Sequence, residues 1–442
     1  MGQQETTGVH ADDGTAVIGA ATEFEPDVMD LLVETLRRAV KGELSAVGTD
    51  TLLGALVLGD TEAGEAIAPG MRKAGSLSGL IAGRAGHGWV SDDEVRGVPV
   101  AAGADEGAPR QEADEKEVDA TWREARWRYG LGVRGSAPEG GRVPPGTTGA
   151  LRACLLLALR SARAEGTISV RCRHVARAVL ELPDSRAREA MVLERLDLSA
   201  ATNALDALDA LDASAPAWTE GPESRGVTLL RQAGTLGKSG NRLTRALISW
   251  TSGSPMNGSP VLSVVFMEAT RQAVRSGRAA VEPVDLLLGI LALDRALFVA
   301  GRSLPEKLAK ANSAPALMRR HGVRQSSLVT SASVGTSASV VASDSAIPSA
   351  GVPDSGEVRP SAAADRVRAV AQLSAAEHGS PTVDTVHLLA ALLDESATDT
   401  GTGTDSDTDA DADADVMVVR LLAADQVDVA ALRAELGLRL GA

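Results

Sequence analysis

Three stretches of this 442-residue chain hold residue types that could bind a phosphate, a dinucleotide or calcium. AGTLGKSG (233–240) ends in the Gly237-Lys238-Ser239 triplet of a phosphate-binding loop. There, backbone N–H groups and a lysine hold the phosphates. That loop requires glycine five residues before Gly237, where Gln232 stands, and no acid-ended hydrophobic strand follows. The stretch therefore reads as a loop ahead of the helix NRLTRALISW, with no nucleoside triphosphate site. GLGVRG (130–135) spells Gly-x-Gly-x-x-Gly, but a dinucleotide site needs a strand before it and a helix after it. WREARWRY precedes it and SAPEGGRVPPG follows, so no cofactor is expected. The alternating acids of Asp405–Asp415 suggest calcium, yet a calcium loop needs glycine at its sixth position and glutamate at its twelfth. Counted from Asp405 these are Ala410 and Val416, which leaves a solvated acidic loop.

The remaining reactive side chains point the same way. Six histidines never fall into a metal spacing such as His-Glu-x-x-His, so no metal is expected. His174 and His387 read as packed, hydrogen-bonded residues. Cys154 and Cys172 read as small, reduced core residues of a cytoplasmic protein. No Gly-x-Ser-x-Gly elbow occurs. Trp122, Trp127 and Tyr129 with Arg123, Arg126 and Arg128 could stack on a nucleic acid or a partner; an amphipathic helix pinned by its tryptophans accounts for them more simply. The formal net charge of −15 disfavours nucleic acid and anionic membrane as partners. No polar-free run approaches the ~18 residues of a membrane span. Gly2 and Thr6 fit a loose acylation pattern that no basic cluster supports.

Helices must position whatever site exists. Aromatics are only 2% of the chain, so the cores are Leu, Val and Ala, and period-two patterning is scarce. The expected fold is all-α. Its organising pattern is a recurring spacing: Gly379, Val383 and His387 in GSPTVDTVHLLAALL, Gly166, Val170 and His174 in GTISVRCRHVARAVL, and Gly277, Val281 and Asp285 in GRAAVEPVDLLLGIL. Glycine ends a helix, the valine seals the reversal, and a polar residue caps the next helix. The short loop makes the two helices antiparallel neighbours. The first unit departs most: LLVETLRRAVKG opens it, Val47 takes the valine place and Thr51 the histidine place.

The pattern Gly-x3-Val/Ile-x3-His-Leu-Leu-x-x-Leu-Leu, followed by an apolar helix and a short closing helix, resembles the Clp N-terminal repeat. That repeat opens the Clp-type unfoldases, where two copies form one pseudo-twofold helical domain that docks adaptors and substrates. The fourth unit is similar along its whole length, including HLLAALL and VVRLLAADQVDVAALRAEL. The resemblance also implies a site. In such domains that recognise phosphorylated arginine, an acid just before the repeat histidine holds the guanidinium. Asp50 takes that place in the first unit, flanked by Thr49 and Thr51; Arg173, Val284 and Val386 take it in the others. A carboxylate suits a guanidinium because it accepts two parallel hydrogen bonds.

The expected organisation is a flexible 1–24, a first repeat at 25–85, an acidic linker at 86–120 and a second repeat at 121–210. A linker at 211–226, a third repeat at 227–323, a Ser/Ala-rich linker at 324–362 and a fourth repeat at 363–442 with an acidic loop at 396–415 complete it. LDALDALDA (205–213) reads as a frayed helix end. Repeats one and two would form one domain, three and four another. The implied function is a non-catalytic binding protein for a Clp-type unfoldase, its adaptors or its substrates, or for a peptide or small ligand. A hydrolase or peptidase with an unrecognised site and a self-associating scaffold are the alternatives.

Overall fold

The computed structural model describes residues 19–59, 61–70, 76–84, 88–91, 93, 108–133, 144–214, 221–236, 259–340, 358–398 and 409–441. The chain is mostly helical. Its first half runs β1 (Glu23–Phe24), α1 (Pro26–Lys41), β2 (Ala46–Val47), α2 (Thr49–Leu58), α3 (Glu62–Ile67), α4 (Ser76–Arg84), α5 (Ala108–Val133), β3 (Gly146–Thr147), α6 (Gly149–Ala164), β4 (Ser169–Val170), α7 (Cys172–Glu181), α8 (Arg186–Leu193) and α9 (Leu198–Ser214). The second runs α10 (Arg225–Gln232), α11 (Pro260–Arg275), β5 (Ala280–Val281), α12 (Pro283–Val299), α13 (Glu306–Ala309), α14 (Ala314–Arg320), α15 (Gln325–Val340), β6 (Arg359–Pro360), α16 (Ala362–Glu377), α17 (Thr385–Thr398), α18 (Asp409–Ala424) and α19 (Val429–Leu440). Each half closes its own aliphatic core.

Four helices of 16 residues, α1, α6, α11 and α16, lead into the four reversals. Three start on a hydroxyl cap: Thr148, Ser259 and Ser361 accept from the N–H of Leu151, Leu262 and Ala364. The fourth, α1, starts on Pro26, which lacks the donor a first turn would leave unpaired. Each reversal turns on a left-handed residue: Glu43 (φ 54°), Gly166 (φ 73°), Gly277 (φ 77°) and Gly379 (φ 64°). Glu43 explains why the first unit reads weakly, since it occupies the glycine place. Val47, Val170, Val281 and Val383 are all buried behind the turns.

Two-residue parallel strands tie the reversals together. The strand ahead of α1 pairs with the strand after α6, Glu23 with Ser169 and Phe24 with Val170. Conversely, the strand ahead of α6 pairs with the strand after α1, Ala46 with Gly146 and Val47 with Thr147. In the second half the strand after α11 pairs with the strand ahead of α16, Ala280 with Arg359 and Val281 with Pro360.

Several expected linkers are shorter than their composition predicts. Residues 19–24, expected to be flexible, end in β1, where Glu23 and Phe24 are buried. The acidic linker 86–120 gives way at residue 108 to the 26-residue α5. Its buried positions Asp114, Glu117, Val118, Thr121, Glu124, Ala125 and Arg128 follow helical spacing, but the stripe is largely charged, so no apolar period marks it. Linker 211–226 loses its first residues to α9 and its last to α10. Within 324–362, α15 buries Leu328 and Ala332, and α16 starts at Ala362. In the loop 396–415, α17 extends to Thr398 and α18 begins at Asp409. LDALDALDA, expected as a frayed helix end, forms the C-terminal half of the 17-residue α9. Its Asp206, Asp209 and Asp212 meet Arg171, Arg173 and Arg177 near α7.

Candidate ligand-binding sites

In three of the four reversals the polar residue caps the helix that follows. His174 Nδ1 accepts from the N–H of Arg171 at 2.8 Å. Asp285 Oδ2 accepts from the N–H of Glu282 at 2.9 Å, and His387 Nδ1 accepts from the N–H of Asp384 at 3.1 Å. A histidine and an aspartate thus do one job: a side chain in the first turn reaches back to the preceding N–H. Burial lowers the pKa of both histidines, favouring the neutral ring whose nitrogen can accept. His174 Nε2 meets Glu165 at 3.1 Å. Thr51 occupies the same slot, but its buried hydroxyl has no hydrogen-bond partner among the described residues.

Thr51 and Asp50 diverge from one another. Thr51 lines a groove of about 480 Å³ with Arg37, Arg38, Lys41, Leu44 and Ile81. Asp50 instead lies buried beside Gly48, where a Cβ would overlap Asp50 Oδ1 and Asp93 Oδ2. Burial and the neighbouring Asp93 carboxylate raise the Asp50 pKa to about 6, against the attraction of Arg186.

Asp93 binds Thr49, one of the residues expected to hold a ligand. Its carboxylate accepts from the Thr49 N–H at 2.7 Å, the Thr49 hydroxyl at 2.9 Å, the Thr148 hydroxyl at 3.3 Å and the Arg186 N–H at 2.9 Å. Its backbone oxygen accepts from the Ala150 N–H at 2.8 Å. The starts of α2, α6 and α8 therefore converge on one internal carboxylate, an anion placed where helix dipoles favour it. The Thr49 hydroxyl also accepts from the Ala187 N–H at 3.0 Å. In the second half the Thr385 hydroxyl accepts from the Ala314 N–H at 3.2 Å, linking the starts of α17 and α14 in the same way. Nothing in the local sequence around Asp93 marks it; its partners lie 44 to 93 residues away.

The tryptophan–arginine cluster lies on α5 and serves both halves. Trp122 and Tyr129 pack on the first core and Trp127 on the second. Beside them runs a buried ion cluster that sequence reasoning missed. Arg275 of α11 donates to both Glu117 oxygens at 2.7 Å and to Glu124 at 3.1 Å. Arg271 meets Glu23 at 2.9 Å and Arg295 meets Glu25 at 2.6 Å. The carboxylates come from the first half and these guanidiniums from the second. Although burial alone would raise it, the Glu124 pKa falls to about 2 because Arg128, Arg271 and Arg275 surround it.

Cys154 and Cys172 are free and buried, and burial pushes both thiols up, away from reactive thiolate. Gly130 and Gly132 lie in the last turns of α5, so GLGVRG is preceded by helix. Gly237, Lys238 and Ser239, and Gly2 and Thr6, fall outside the described residues. Among the described residues there is no group of three His, Cys, Asp or Glu placed to hold a metal, and no helix is long and apolar enough to cross a membrane.

The fold and its sites define a mostly helical protein of two cores joined through a shared helix and a buried ion cluster. No family model, no curated protein and no solved structure matches the chain.

Proposed function

We propose that the chain is a non-catalytic binding protein made of two Clp N-like domains in tandem. Repeats one and two form the first, repeats three and four the second. The observation that carries this reading is the reciprocal exchange of strands: each of α1 and α6 is led by a strand that pairs behind the other. That exchange is what a pseudo-twofold pair of similar units produces. The matching Thr49–Ala187 and Thr385–Ala314 bonds support the same pairing in both halves. The function follows by analogy of fold, as an adaptor, competitor or decoy for a Clp-type unfoldase, its adaptors or its substrates. Asp50 is buried, so it reaches a basic or phosphoarginine side chain only after its surroundings open.

The test is crosslinking of the full chain in native cytosol, followed by identification of what it captures. Enrichment of a Clp-type unfoldase, or of proteins it degrades, over a Val383→Asp control supports the proposal. Their absence, with the wild-type chain folded, overturns it.

A further inference from the structure

A cleft of about 920 Å³ lies where α5, α6, α11 and α15 meet the chain ahead of β1. Cations crowd its wall: Arg110, Lys116, Arg123, Arg163 and Arg275 line it against only Glu117 and Asp119. Most of these charges are already balanced. Arg275 holds Glu117 and Glu124, Arg163 holds Asp114, and Lys116 holds Glu112 at 2.8 Å. Asp119 is taken by Arg152.

Arg123 differs. Its Nε donates to the Arg275 carbonyl at 2.9 Å and its Nη2 donates to the same oxygen. No carboxylate among the described residues hydrogen-bonds this guanidinium. Burial lowers its pKa and the like charge of Arg275 adds to the effect, with Asp119 opposing. One turn before Arg275, Gln272 also lines the cleft. It is 2% exposed, and its Nε2 has no hydrogen-bond partner among the described residues. A buried amide without a partner is uncommon, because its desolvation goes uncompensated. Across the cleft lie Ser326, Ser327 and Thr330 of α15; the hydroxyls of Ser327 and Thr330 donate to the Arg324 and Ser326 carbonyls at 3.0 and 2.9 Å.

We propose that this cleft binds a small phosphorylated molecule, with the phosphoryl oxygens held by Arg123 and Gln272. A guanidinium and an unpaired amide nitrogen supply donors for the acceptor oxygens of a phosphoryl group. The volume suits a nucleotide-sized ligand. An acidic protein gives such a site no long-range help, so binding depends on these local donors. Because the cleft is built from both halves, its ligand also ties them together.

The test is calorimetric titration of inorganic pyrophosphate into the full chain at about 0.15 M salt, which screens diffuse attraction. Saturable binding with one site per chain is expected. Arg123→Gln should weaken it by roughly tenfold or more, the loss of one charge-assisted contact. Arg37→Gln, in the groove beside Thr51, should leave it unchanged. Should Arg123→Gln fail to fold, Lys116→Glu at the solvent edge of the cleft supplies the test, and it too should weaken binding. Absence of saturable binding to wild type overturns the proposal. So does equal affinity in the folded cleft variant, or an equal loss in Arg37→Gln.

Discussion

Arg275 Nη2 donates to both carboxylate oxygens of Glu117, each at 2.7 Å, between a helix of the second core and the helix shared by both. The pair and its neighbour Glu124 are withdrawn from water: Arg275 is 4% exposed, Glu117 8% and Glu124 0%. Such a pair, with the Arg275–Glu124 contact at 3.1 Å beside it, joins a helix of one half to a helix of the other inside a buried cluster. Removing Arg275 leaves the Glu117 carboxyl dry and without the cation that opposes the rise in its pKa caused by burial. Arg275→Met is expected to lose about 3–5 kcal/mol of stability. Urea unfolding measures this. The loss should change little with salt, which separates the buried cluster from surface pairs. Adding Glu117→Gln should recover part of the loss, since the orphaned carboxylate is then gone.

The Asp93 carboxylate leads to a different expectation. Asp93→Ala removes the acceptor of the Thr49 and Arg186 N–H groups, each costing about 1–3 kcal/mol when left unpaired and buried. The vacated space is shaped for a small anion between three helix starts. Formate should therefore raise the melting temperature of Asp93→Ala more than that of wild type. An equal response of the two proteins would show that Asp93 is not an internal anion.

Asp50 and Glu124 should respond oppositely to pH. The Asp50 pKa is about 6 in the folded chain against 3.8 ordinarily, so folding favours its protonated form. Its ionisation costs stability above about pH 6, and the cost disappears as pH falls toward 4. Asp50→Asn should then stabilise by up to about 3 kcal/mol near pH 8 and by little near pH 4. Glu124 has a folded pKa of about 2 against 4.5. Its contribution is present above pH 4.5 and is lost as pH falls through about 2. Glu124→Gln should therefore cost stability at neutral pH and flatten the acid limb. Denaturation series across pH on the two variants measure both slopes.

Glu43 holds φ 54° at the turn where the other three units have glycine. A side chain in that region costs about 1–2 kcal/mol, while glycine adds some entropy to the unfolded chain. Glu43→Gly is expected to stabilise by about 0.5–1 kcal/mol. Gly379→Ala, at φ 64°, should destabilise by a similar amount. Paired thermal melts compare the two signs directly.

The helical hairpins were legible in the sequence because what makes them is local. Gly166, Gly277 and Gly379 stop a helix, a valine four residues on seals it, and His174, Asp285 or His387 caps the next. All of that lies within a dozen residues, so residue types and spacing determine it. The period-three run in α9 and the charged stripe of α5 misled the reading, because their partners are not neighbours in sequence. Asp209 faces Arg173 and Arg177, and Glu117 faces an arginine 158 residues away. Only the tertiary structure decided that Asp93 and Asp50 both crowd Gly48, and that Thr51 lines a groove while Asp50 is buried. It alone also brought four carboxylates and three arginines together between the cores. A buried charge carries no period that distinguishes it from a solvated one. What separates them is whether an opposite charge is folded against it, and that is settled by contacts the chain makes only once both halves are formed.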